Sequence, residues 1–124
     1  DNLPDIIFIK DSQFRLVTVN QAYVRQFGFA SEADIIGKTD FDFCPPDLAQ
    51  AFRDDDAQVM RSGQVLLQRE EQIVTPDGSR QWIVTTKVPL RDPEGSVIGL
   101  VGIAHDISGL KKTERALRES EWLY

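Results

Sequence analysis

Residues 96–108, SVIGLVGIAHDIS, decide how the rest of this chain is read. As a strand the segment is apolar on both faces. Val97, Val101, Ile103 and Ile107 fall on one side, and Ile98, Leu100 and Ala104 on the other. A strand that is apolar on both sides needs cover on both sides. In a small domain only one face meets the domain's own core, so the second requires a flanking helix or another chain. A charged helical pattern, residues 110–124, follows at once. A central strand that feeds an exiting helix suits a module that transmits a mechanical signal.

The preceding segments supply partners for that strand. Residues 3–10, LPDIIFIK, and 14–19, FRLVTV, read as a hairpin across the turn residues Asp11 and Ser12. Asn20 caps a helix over residues 21–27, which Gly28 ends, with Ala22, Tyr23 and Phe27 on one face. Ser31 caps a shorter helix that Gly37 ends. Residues 38–46, KTDFDFCPP, are irregular. Residues 47–62 form the longest internal helix, with Leu48, Ala51, Phe52, Val59 and Met60 apolar. Within it Asp54, Asp55 and Asp56 read as a solvated charge run. Strands follow at 65–75 and 80–91, joined by Pro76-Asp77-Gly78-Ser79. A second turn, Asp92-Pro93-Glu94-Gly95, leads into the strand first quoted. Two strands, a run of short helices and three meandering strands make an α+β layout, one sheet with its helices on one side.

Composition narrows the function classes. A chain of 124 residues, 41% hydrophobic and 27% charged, reads as one globular domain. The net charge of −6 and the absence of a basic segment before the C-terminal helix argue against nucleic acid and anionic membranes as partners. A single cysteine, Cys44, excludes an intrachain disulfide and a cysteine-built zinc site. With no apolar run of spanning length and no signal peptide, the expected location is cytoplasmic. The chain reads as a segment of a longer protein, whose other parts would hold any anchor or output domain.

The pieces LPDIIFIKD, RLVTVNQAYVRQFGF, GKTDFDFCPPDLA and VTPDGSRQWIVTTKVPLRDPEGSVIGLVGIAHDIS, in this order and spacing, resemble a PAS sensor domain of the PAS/PAC type along nearly the whole chain. GIAHDIS is similar to the closing motif of that family, and LKKTERALRESE to the start of a coiled-coil linker. The resemblance implies a five-stranded antiparallel sheet, order 2-1-5-4-3, cupping short helices around a small cavity. It divides the chain into a sensor domain, residues 1–108, and the start of a signalling helix, 109–124. It also implies a sensory and dimerisation input to an output domain in the same polypeptide, such as a histidine kinase or a cyclic-dinucleotide enzyme, with the protein a homodimer.

Cofactors of the family are tested on residues. His105 is the only histidine, and it sits on the last strand, away from the long helix that carries the haem ligand in haem-binding relatives. Cys44, in FDFCPPD, has no basic neighbour to activate it for flavin or chromophore attachment. No metal-ligand cluster, phosphate-binding glycine loop or nucleophile–base pair is legible. The expectation is no haem, flavin or metal and no catalytic site.

A small-molecule pocket remains. Alternation sets Ile83, Thr85 and Lys87 opposite Trp82, Val84 and Val88. By the resemblance, the Ile83 side turns inward and is joined by Glu71, Ile73, Leu100 and Ala104, with Ile98 facing the cavity as well. A Glu and a Lys on an inner face are costly unless paired. Two readings compete: a Glu71–Lys87 pair, or Lys87 and Thr85 receiving a small anionic ligand such as a carboxylate. The outer face, Trp82, Val84, Val88, Val101 and Ile103, is expected to meet a second protomer or a flanking helix. His105, Asp106 and Ser108 are the expected relay into the exit helix. The alternatives to a ligand sensor are a ligand-free structural dimerisation spacer and a haem- or flavin-bearing redox or light sensor.

Overall fold

The computed structural model of the chain describes residues 5–107 and Leu117. The elements follow the order β1 (Ile6–Asp11), β2 (Leu16–Val19), α1 (Gln21–Gln26), two single 3-10 turns (Glu32–Asp34 and Asp40–Asp42), α2 (Pro46–Ser62), β3 (Leu66–Val74), β4 (Arg80–Arg91) and β5 (Val97–Asp106). All strand pairs are antiparallel, and the sheet order is β2-β1-β5-β4-β3. Ser108 and the expected exit helix over 110–124 lie outside the described residues, apart from Leu117.

Local chemistry sets the boundaries. The Asn20 side chain accepts hydrogen bonds from the backbone of Tyr23 and of Ile7, so one residue starts α1 and ties it to β1. Pro46 occupies the first turn of α2, where its missing N–H leaves no intrahelical bond unmade. Gly63, at φ 68°, ends the helix in the left-handed conformation that glycine adopts without strain. The residues buried along α2 are Leu48, Ala49, Phe52, Asp56 and Val59. Ala49 thus takes the buried place expected of Ala51, which is exposed.

The helices and 3-10 turns cover one face of the sheet. Ile6, Phe8, Leu16, Val19, Ile73, Ile83, Leu100 and Ala104 meet Tyr23, Val24, Ile35, Leu48, Phe52 and Val59 in a single core. The opposite face leaves Ile7, Val88 and Ile103 exposed, with Trp82, Val84 and Val101 half-buried. Ile98 corrects one expectation. It is 44% exposed. The β1 pairing with β5 ends at Asp11↔Gly99, so Ile98 lies past the end of β1. On its other side the register with β4 shifts from Leu90↔Gly99 to Arg91↔Val97, so Ile98 is skipped and drops out of the alternation.

Candidate functional site: a charged cavity in the core

Alternation along three strands aims charged side chains into the apolar layer. On β1, Ile6, Phe8 and Lys10 share the inner face. On β4, Ile83, Thr85 and Lys87 do, and on β3, Glu71 and Ile73. α2 contributes Asp56, and the 3-10 turn at Asp40–Asp42 contributes Asp40. Lys10, Asp56, Thr85 and Lys87 are each no more than 2% exposed.

These groups form one network. Lys10 Nζ donates to Asp40 Oδ2 at 2.5 Å and to Asp56 Oδ2 at 2.6 Å. Lys87 Nζ lies 2.8 Å from Asp56 Oδ1. That contact is a buried ion pair. Glu71 Oε1 is 3.5 Å from Lys87 Nζ, and Glu71 Oε2 accepts from the Thr85 hydroxyl at 3.3 Å. Removing such charges from water is expensive, and close pairing offsets that cost.

Protonation follows from these neighbours. Burial opposes charge on Lys10, but the carboxylates of Asp40 and Asp56 outweigh it and hold the ammonium above its ordinary range. Burial opposes ionisation of Asp56 too, and Lys10 and Lys87 outweigh it, holding that carboxyl low. Glu71 goes the other way. Burial, only partly offset by Lys87 and reinforced by a side-chain hydrogen bond with Asp55 and by the charges of Asp55 and Asp56, pushes it up to about 7.

Between these charges lies a cavity with about 30 Å³ of free space, room for one or two water molecules. Phe8, Tyr23, Phe27 and Phe52 line it with Ile6, Ile73, Ile83 and Ala104. The rings continue outward as a packed row: Tyr23 against Phe27 at 4.6 Å, Phe27 against Phe43 at 5.6 Å, and Phe43 against Phe29 at 5.2 Å. Cys44 packs against the core, and burial followed by the nearby Asp40 charge raises its thiol to about 12.

The site expected from sequence is therefore gathered in part and enlarged. Glu71, Ile73, Ile83, Thr85, Lys87 and Ala104 line one cavity. Leu100 is fully buried but is not among the lining residues. The reading of residues 54–56 as a solvated run fails at Asp56, which has no exposed surface. It falls four residues after Phe52 on the buried stripe of α2, a spacing that marks it as inward-facing. Lys10 was findable by its alternation with Ile6 and Phe8. Asp40 sits in an irregular segment and carries no such signal. Of the two readings of Lys87, the pair with Glu71 is present at 3.5 Å, and Asp56 faces the same ammonium at 2.8 Å.

The expected relay and association residues lie elsewhere. His105 is exposed on the outer face, its Nδ1 2.8 Å from Asp5 Oδ1. Asp106 pairs with Ile83 at the end of β5, and Ile107 N donates to Trp82 O at 3.0 Å. No helix among the described residues is long and apolar enough to cross a membrane.

Three comparisons place this geometry. The methanogenesis regulatory histidine kinase FilI of Methanothrix harundinacea is 38% identical over 112 residues, which are 90% of this chain and 12% of that protein. The aerobic respiration control sensor protein ArcB of Escherichia coli is 28% identical over 97% of this chain and 15% of its own length. The chain thus spans under a sixth of these relatives. Among solved structures, the Vibrio cholerae VqmA–ligand–DNA complex is 30% identical with a TM-score of 0.76, over 86% of this chain and 47% of that one. A second structure, VqmA bound to DPO, is 31% identical with a TM-score of 0.75, over 85% of this chain and 53% of that one. The VqmA–DNA complex overturns the partner expectation that left nucleic acid out. A net charge of −6 on this domain says nothing about a partner that another part of the same polypeptide contacts. The family described as "PAS fold" matches residues 1–112, and with the sheet order and the cupped helices this chain belongs to that family as a sensor domain.

Proposed function

We propose that this chain is the sensory input of a longer signalling protein. A small molecule enters the core cavity, changes the packing beneath β5, and Asp106 with Ser108 carries the change to an output domain. The observation that carries this reading is the charged network around a cavity. Well-packed apolar residues in place of a buried ion network are often neutral or stabilising, so folding alone gives little reason to keep this one. Residues 1–108 are the sensing unit in this reading, and 109–124 the start of the connection. The output we favour is a histidine kinase, supported by the likeness to FilI and ArcB. The second reading is a DNA-binding output, supported by the likeness to VqmA, solved with DNA and with DPO.

The apolar outer face, Trp82, Val84, Val88, Val101 and Ile103, is the association surface in this proposal. Introducing negative charge on it, Val88→Glu with Ile103→Glu, should lower the mass of the full-length protein in light scattering. An unchanged mass would remove that role. The sensing role is tested by filling the cavity. Ala104→Leu in the full-length protein should fix the output at one level. An output that follows the wild type through every condition in which the wild type varies would show that the cavity is not the sensor.

A further inference from the structure

Among the charged groups of this network, Glu71 has the longest ion pair, 3.5 Å against 2.5 to 2.8 Å for the others. Its side chain is 91% buried, being 9% exposed. Oε2 has the Thr85 hydroxyl, but Oε1 is buried without a hydrogen-bond donor, and the nearest ammonium is 3.5 Å away. A buried acceptor without a donor is an unfavourable arrangement that a ligand can relieve. The charges point the same way. The ammoniums of Lys10 and Lys87 are balanced by Asp40 and Asp56. An ionised Glu71 is then a fifth, unbalanced charge of negative sign.

The apolar walls suit a cation. Lys10 Nζ lies 5.2 Å from the Phe8 ring centre and Lys87 Nζ 5.7 Å from that of Phe52, so ring faces already border positive charge here. The free volume limits the guest to a few heavy atoms unless the rings shift.

We infer that the cavity binds a compact organic cation, of the class of small primary amines, with the Glu71 carboxylate as its acceptor. The inference rests on the sensory reading of this same cavity and adds the chemistry of what enters it. Binding is coupled to a proton. Without a guest, Glu71 is held near neutrality of charge by burial and by Asp55 and Asp56, against Lys87. Lys10 from β1, Asp40 from its 3-10 turn and Tyr23 from α1 complete the polar groups across the cavity. The incoming ammonium stabilises the carboxylate, so the carboxyl proton leaves to solvent as the guest enters. Affinity therefore rises with pH through about 7, by about tenfold between pH 6 and pH 8 for a single linked proton.

The test is a titration of the ¹⁵N-labelled 124-residue chain with methylammonium, acetamide and acetate, at matched ionic strength with sodium chloride as the blank. The expected result is saturable shifts at Thr85, Lys87 and Ala104 with methylammonium, tighter at pH 8 than at pH 6. Glu71→Gln, with an unchanged circular dichroism spectrum, should weaken that binding at least tenfold and abolish its pH dependence. Cavity shifts with acetamide or acetate but not methylammonium would overturn the inference and leave the sensory cavity standing. No cavity shift with any of the three would overturn both. Binding that persists in Glu71→Gln with its pH dependence intact would overturn the role of Glu71.

Discussion

Lys10 Nζ of β1 and Asp56 Oδ2 of α2 lie 2.6 Å apart in the middle of the domain, 46 residues apart in sequence. Asp56 also faces Lys87, so one carboxylate answers two ammoniums. Asp56→Ala leaves both lysines under-compensated in the core and should destabilise the domain by about 3–5 kcal/mol in urea denaturation. Asp54→Ala, at an exposed position two residues away, should change stability by no more than about 0.5 kcal/mol. Equal losses at the two positions would contradict the buried role of Asp56.

Glu71 gives stability an unusual pH slope. Its folded pKa, about 7, lies above the ordinary 4.5, so the native state binds more protons than the unfolded chain between these values. Stability from this group is present below pH 4.5 and is lost as pH rises through about 7. The loss is at most about 3 kcal/mol. Asp56 acts in the opposite sense, since its lowered pKa costs stability only in strong acid. Denaturation midpoints should therefore fall between pH 5 and pH 8, and Glu71→Gln should flatten that interval. A wild-type midpoint that rises from pH 5 to pH 8 would refute the assignment.

Gly102 allows the Phe8 ring to sit against β5. A Cβ placed there would come within 2.1 Å of Phe8 Cζ. Gly102→Ala should push the ring into the cavity and cost about 1–3 kcal/mol. Phe8→Leu in the same chain should recover part of that loss, a coupling that a double-mutant cycle reads directly.

Cys44 should be chemically quiet. With its thiol at about 12, little thiolate exists at pH 8. Iodoacetamide should modify the native chain at least about a hundredfold more slowly than the urea-unfolded chain, followed by mass spectrometry. Comparable rates would mean that packing against the core does not shield it.

Much of this architecture was legible in the sequence. The span of β4 and the stop of α2 at Gly63 follow from alternation and from glycine chemistry. The inward set Glu71, Ile83, Thr85 and Lys87 followed from period two, once the resemblance had told inside from outside. The centre of the network was harder to see. Three consecutive aspartates look alike in a sequence, but a helix turns each by about 100°, and only Asp56 lands on the line of Leu48, Phe52 and Val59. Its partners come from β1 and β4, too far along the chain for any local pattern to join. Asp40 depends on the path of an irregular segment, which neither periodicity nor propensity sets. Ile98 failed for the opposite reason: the β4–β5 register shifts between Leu90↔Gly99 and Arg91↔Val97, so Ile98 has no partner on β4 and strict alternation breaks there.

The strand order has a consequence for how the chain is made. β1 with β2, and β3 with β4, form two local hairpins that meet in the sheet only through β5. The two lysines of the network belong to different hairpins, Lys10 to the first and Lys87 to the second. During synthesis these halves emerge in turn, each with an unpaired edge. Joining one half to the other in the sheet requires Val97–Asp106 between them. Val97–Asp106 is thus the keystone: each earlier half carries one lysine of the network, and β5 alone joins the two halves in one sheet.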